Sequence, residues 1–404
     1  MRGSALSNSS KRALRLLLPV VGALAVTPAA AEGVMDTLQM QGFVSQGYVV
    51  TNRNNFFGPS SDSGGSLEYT EVGVNASLRP RSDVLIAAQV LSRRAGGDGS
   101  DAKPKLDHGV VDYQLPTSPH RTIGIQAGRF KNPFGFYNQT RDVAFTRPSI
   151  LLPQSIYFDR TRSIALAADG LSVYGAERMG RGEIHVQAGA GWPQVDDDVE
   201  EALGLDQAPG SLKAKPSAIG QVRYEHNGGR IIAALSAANV RLRYDSRTGG
   251  PGNGEIKFQP LIFSLQYNAE KWSLTGEYAL RRFKSERFDV PMLNRDDTGE
   301  SGYIQYSRRI LSDWQWFVRY DVLHADRSDR SGRAFEDETG LPAHTRFAKD
   351  LTVGLQWSFH PQVLLAAEYH RVDGTGWLPR RDNPDVADTE RRWNMLLLQT
   401  SLRF

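Results

Sequence analysis

The sequence predicts an all-β protein, a transmembrane antiparallel β-barrel of about sixteen strands, with long external loops at one end and short turns at the other. Three observations predict it. Apolar and polar residues alternate with a period of two through most of the chain. The connections between the alternating segments are long and short in turn. The chain opens on an export leader, and nothing after it is long and apolar enough for a membrane helix.

The leader is read at residues 1–31. Arg2, Lys11, Arg12 and Arg15 form a basic head, Leu14 to Val26 a short apolar run, and Ala29-Ala30-Ala31 a small-residue cleavage site, so processing is expected before Glu32. The run is too short for a membrane helix and no stop-transfer pattern follows. Residues 32–404 then form the barrel. Without the leader the chain carries 44 Lys+Arg against 45 Asp+Glu, so global charge gives no support for nucleic-acid binding. The chain has no cysteine, which closes a lipid anchor after the leader, disulfides and thiolate metal sites. Mean hydropathy is −0.42, that of a soluble protein. A barrel can span a membrane with such a composition because only alternate strand residues face lipid.

The alternation is clearest toward the C-terminus. Leu351, Val353, Leu355, Trp357 and Phe359 interleave with Thr352, Gly354, Gln356 and Ser358. Trp314, Trp316, Val318, Tyr320 and Val322 do so against Gln315, Arg319 and Asp321. Trp272, Leu274 and Tyr278 alternate with Ser273, Thr275 and Glu277, and Ile184, Val186, Ala188 and Trp192 with His185, Gln187 and Gly189. Sixteen segments follow: 38–52, 66–79, 83–94, 106–116, 121–131, 168–178, 183–192, 216–226, 229–245, 255–268, 271–284, 299–309, 313–326, 347–359, 361–371 and 392–404. Alternation is poor in 38–52 and 229–245. Parity breaks near Asp169-Gly170, which fits a bulge or a later strand start.

The long connections are 53–65, 95–105, 132–167, 193–215, 246–254, 285–298, 327–346 and 372–391. The short ones include Pro80-Arg81-Ser82, Asn227-Gly228 and Ala269-Glu270. A soluble sandwich has no reason to sort its loops by length to alternate ends; a barrel with external loops and periplasmic turns does. Tyr224, Tyr267, Trp272, Tyr306, Trp314 and Trp357 flank the short turns and read as an interfacial girdle. The chain ends on Phe404, with Leu396, Leu398 and Leu402 on one face. A terminal aromatic on an alternating strand resembles the signal read by the outer-membrane assembly machinery.

Residues 128–162 contain Gly128-Arg129-Phe130-Lys131-Asn132-Pro133-Phe134-Gly135-Phe136-Tyr137-Asn138, Thr140-Arg141-Asp142, Phe145-Thr146-Arg147-Pro148-Ser149-Ile150 and Pro153-Gln154-Ser155-Ile156-Tyr157. This segment resembles the phosphate-selective porin family and its broader porin relatives. The resemblance implies an outer-membrane channel for small hydrophilic solutes or anions, a homotrimer, and a third external loop folded inward to narrow the pore. The longest loop here, 132–167, is the third. Outer-membrane lipids and lipopolysaccharide are the implied surroundings, and no cofactor is expected.

Within that loop Arg141, Arg147, Arg160 and Arg162, with Lys131 at its base, are the candidate constriction and anion-binding residues, against Asp142 and Asp159. Basic rings in a pore favour anions; the alternative is that these arginines pair with an acidic wall and hold the loop down. Parity with Ile123, Ile125 and Ala127 points Arg129 outward. Strand parity places Arg93, Arg223, Arg281 and Arg319 in the lumen with Glu71, Asp112, Glu225, Glu277, Asp321 and Glu368, a mixed lining that leaves selectivity to the loop. Asp196-Asp197-Asp198 with Glu200 and Glu201 reads as a solvated run or, alternatively, a divalent-ion site. The rival function is a barrel enzyme of lipase or protease type, for which His108, His185, His324 and His370 are candidates, though no motif surrounds them. A plugged siderophore-type transporter needs a longer chain.

Overall fold

The computed structural model describes residues 33–97 and 102–404; the leader and its Ala31–Glu32 junction lie outside the described residues. Among the described residues, seventeen strands form one closed antiparallel sheet. They are β1 (Gln39–Thr51), β2 (Ser66–Arg81), β3 (Val84–Ala95), β4 (Lys105–Leu115), β5 (Arg121–Lys131), β6 (Ala167–Met179), β7 (Gly182–Pro193), β8 (Gly210–Ala214), β9 (Ser217–His226), β10 (Ile231–Ser246), β11 (Gly254–Asn268), β12 (Trp272–Glu286), β13 (Arg295–Arg309), β14 (Trp314–His324), β15 (Phe347–His360), β16 (Val363–Gly374) and β17 (Arg392–Arg403). The sheet closes where β1 pairs with β17, from Phe43↔Arg403 to Thr51↔Met395.

The barrel has sixteen staves, because β8 and β9 share one. Both pair with β10, β8 at Leu242 to Ser246 and β9 at Ile231 to Asn239. Pro216 sits between them; it has no N–H to give a ladder and interrupts the stave. The sequence reading of 193–215 as all loop is corrected here: Gly210–Ala214 is a strand. The connection read at 285–298 also shrinks, because β12 runs on to Glu286 and β13 begins at Arg295.

The burial pattern is that of a soluble protein turned inside out. Leu261, Phe263, Leu265, Val353 and Leu398 are exposed on the outer face, while Glu71, Arg319, Asp321, Thr352, Glu368 and His370 are buried on the inner one. Only a lipid exterior makes that distribution favourable. At the turn end Tyr267, Trp272, Tyr306 and Trp316 pack ring to ring in sequence, with centroids 5.3, 5.8 and 5.6 Å apart.

The weakly alternating segments have local explanations. In β10 the outward positions beyond Asn239 are Arg241 and Arg243, above the apolar belt. In β1, Gly42 lies under the Phe404 ring and Gly47 under Tyr69; a Cβ on either would meet the ring at 2.5 or 2.4 Å. Neighbouring aromatics thus cover what the glycines leave bare. The parity break read near Asp169-Gly170 is neither a bulge nor a later start: both residues lie inside β6, whose registers with β5 and β7 are unbroken, and Asp169 is a polar residue on the outer face, paired with Arg129.

Candidate solute pathway

Residues 132–166 leave β5, cross the barrel interior and return to β6. Their backbone is held by wall carboxylates. Glu368 of β16 accepts from the amides of Ile150 and Leu151. Glu277 of β12 accepts from the Phe136 amide (3.0 Å), Tyr157 Oη (2.6 Å), Tyr303 Oη (2.9 Å) and Ser264 Oγ (2.5 Å). Asp321 of β14 accepts from the Ser155 amide at 3.4 Å. Arg319 donates to Ser149 Oγ (3.1 Å) and the Leu151 carbonyl (3.0 Å). Buried charges and loop amides are both costly alone, and here each satisfies the other. Carbon packing completes the hold: Phe134, Leu152, Ile156 and Tyr157 sit on Ile262, Ala279 and Tyr303, while Ile150 and Leu151 sit against Met395, Leu397 and Trp393.

The sequence-selected cations therefore separate into two groups. Arg147 donates to Glu71 at 2.9 Å and to Tyr69 Oη at 3.2 Å, and is buried. Lys131 bridges Asp107 (3.0 Å) and Asp142, and Arg162 also pairs with Asp142. Arg141 is buried with the Tyr157 carbonyl as acceptor at 3.3 Å. Arg93 is shared by Glu71 (3.0 Å) and Asp159 (2.7 Å). Of the wall residues, Glu277, Asp321 and Arg319 are under the loop. Arg223 faces the lumen near the turn end and pairs with Glu225 at 2.6 Å. Arg129 faces outward and binds Asp169 at 2.7 Å.

Arg160 and Arg281 differ. Both line a cavity of about 440 Å³ at the loop end, together with Arg295, Arg346 and Arg380. Asp297 is the acid in its wall, held by Arg295 and lying 3.9 Å from Arg346. Burial, then the positive charge of Arg380 and more weakly of Arg346, lowers the pKa of Arg160, against the carboxylate of Glu201, which raises it. The other walls are apolar: Phe158, Phe258, Phe283, Phe288, Leu242 and Ile256. Beneath it a hollow of about 50 Å³ shares Phe158, Phe258 and Arg281. Sequence reasoning missed Arg295, Arg346 and Arg380. They come from two connections and a strand end, and nothing local distinguishes them from other loop cations.

On the side of β4 to β9 the inner wall toward the turn end stays polar and partly exposed, with Gln114, Gln126, Gln187, Gln221, Arg223 and Glu225. The acidic run is tied into the fold. Asp196 caps the helix Asp197–Ala202 and accepts from Ser163 Oγ at 2.8 Å, Glu200 accepts from the Leu212 amide, and Asp198 and Glu201 hold Arg381. His370 is fully buried, bonded to Asp350 (2.7 Å) and Thr352 (3.1 Å).

A sixteen-stave barrel with lipid-facing apolar residues and an inward loop is the fold of outer-membrane porins. Among solved structures the chain is similar to an anion-selective porin from Comamonas acidovorans (TM-score 0.56, 12% identity, covering 91% of this chain and 99% of that one). It is also similar to Salmonella typhi OmpF (0.55, 11%, 91% and 97%) and to the outer membrane channel DcaP of Acinetobacter baumannii (0.54, 12%, 91% and 97%). No protein-family model and no curated protein matches the chain in sequence.

Proposed function

We propose that the chain is an outer-membrane channel for passive diffusion of small hydrophilic solutes, with a preference for anions, and that it is not an enzyme. The observation that carries the preference is the loop-end cavity, where Arg160, Arg281, Arg346 and Arg380 face one acid that Arg295 already engages. Part of this surplus lies on the inward loop itself, at Arg160, so a solute meets it where loop and wall face each other. Fixed positive charge in a restricted, partly dehydrated passage raises local anion occupancy. The inward loop 132–166 sets the narrowest section, and the polar wall of β4 to β9 carries the path to the periplasm. The resemblance around Lys131 to Arg162 supports passage of anions and a trimeric assembly.

Reconstitution in planar bilayers tests this. In a potassium chloride gradient the reversal potential is expected on the anion side; a value on the cation side, or no conductance, refutes it. The export leader belongs to the same reading: the N-terminus of outer-membrane material should begin at Glu32, and a start at Met1 refutes cleavage.

A further inference from the structure

We infer that the arginine-lined cavity recognises amphipathic organic anions, a carboxylate or sulfonate carried on an aromatic or short aliphatic body. This rests on the reading of the chain as an anion-preferring channel and narrows its substrate class.

The argument begins with Arg281. It is 8% exposed, and its guanidinium makes no hydrogen bond and no ion pair among the described residues; its Nε is buried without a partner. Arg93, Arg147 and Arg319, on the same inner wall or in the loop, all have carboxylate, hydroxyl or carbonyl acceptors. What Arg281 has is the ring of Phe158, 4.6 Å away, and Arg160 approaches that ring at 5.9 Å. Two cations thus flank one aromatic, and among the described residues no acid is paired to either. A buried guanidinium without an acceptor is unfavourable unless something supplies negative charge.

The rest of the wall says what kind of anion. Leu242, Ile256, Phe283 and Phe288 present carbon to the same cavity and belong to one apolar cluster. Chloride or phosphate bound at Arg281 gives up hydration and gains nothing from those residues. A carboxylate on a ring places its charge at Arg281 and Arg160 and its body against Phe283 and Phe288, removing apolar surface from water. The volume of about 440 Å³ lies within the range of small-molecule sites, roughly 300–1,000 Å³. The dominance of apolar lining with a few converging charges is also the composition of such sites.

The test uses the full-length channel carrying chloride current in a planar bilayer, with benzoate, acetate, phosphate and neutral benzamide added in turn to the loop side. Benzoate is expected to reduce the current at about a tenfold lower concentration than acetate or phosphate, and benzamide to leave it unchanged. Phe283→Ser should weaken block by benzoate more than block by acetate. Arg281→Gln should weaken both, and Arg160→Gln, at a partly exposed position, repeats that test where the fold is less at risk. Equal block by benzoate, acetate and phosphate in a channel that still prefers anions overturns this inference alone. Block by benzamide, or benzoate block unchanged in both arginine variants, also overturns it. A channel without anion preference overturns the reading beneath it.

Discussion

Two regions of the barrel interior contain the same residue types in opposite states. On the side formed by β12 to β17 and β2, the wall carboxylates Glu71, Glu277, Asp321 and Glu368 and the cation Arg319 are all occupied by the inward loop. At the loop-end cavity, Arg160 and Arg281 have aromatic neighbours and, among the described residues, no acid within ion-pair distance. A lumenal charge is therefore no sign of a solute path by itself. What decides is whether another part of the chain already satisfies it, because a pair neutralised at hydrogen-bond distance projects little field beyond itself.

The comparison breaks most easily at Glu277. Glu277→Ala removes the acceptor of four donors, and leaves Tyr157, Tyr303 and Ser264 hydroxyls buried without it, at about 1–3 kcal/mol each. The loop should loosen, so that single-channel conductance rises and the temperature of heat-modifiable unfolding on gels falls by many degrees. Normal conductance in this variant would mean that the loop does not set the narrowest section.

Arg160→Glu combined with Arg281→Glu sharpens the contrast from the other side. A unit charge about 6 Å from a passing ion contributes roughly 0.7 kcal/mol at water-like screening and about 2.8 at an effective dielectric near 20. The reversal potential should therefore move clearly toward cations, while Arg141→Gln, inside the loop packing, should lower stability and move the potential little. A larger shift from Arg141→Gln than from the double variant would reverse the assignment of the two regions.

A smaller effect is expected from salt. The Debye length is about 10 Å at 0.1 M and about 3 Å at 1 M, so anion preference should shrink across that range. The loop, held by buried pairs, should respond less; equal salt sensitivity of preference and of thermal stability would count against the distinction.

Deleting Phe404 should affect conduction least. Its ring is 70% exposed on the outer face over Gly42, and its backbone closes the sheet through bonds of 2.9 and 3.0 Å to Gly42. Folded, heat-modifiable protein in outer membranes should fall, while the conductance of the molecules that do assemble stays unchanged. Normal yield refutes the role of the terminal aromatic in assembly.

The barrel itself was legible in the sequence because lipid on one side and polar interior on the other impose a strict period of two. Loop lengths were legible for a similar reason, since each end of a barrel faces a different compartment. Gly210–Ala214 was not: five residues before Lys215-Pro216 carry too little alternation to read as a strand, and only their pairing with β10 makes them one. The fates of the arginines were also hidden. Arg147 and Glu71 are 76 residues apart, and no local pattern marks them as partners. Parity pointed Arg281 inward but could not show that its guanidinium has no acceptor there, because that depends on how loop and wall meet.

The loop also bears on how the two chain ends come to lie side by side. The pairing of β1 with β17 joins residues 356 apart, as at Ser45 and Ser401. Arg147 holds β2 on one side of that joint, 76 residues back, and Ile150 holds β16 on the other, 218 residues on. One long ring closure is thereby divided into two shorter ones, each with a smaller entropic cost. The segment that narrows the lumen is in this sense a clasp. It fastens the neighbours of the first and last strands from within, so that native-state amide exchange at Phe43 to Thr51 should be slow for strands so near the chain termini.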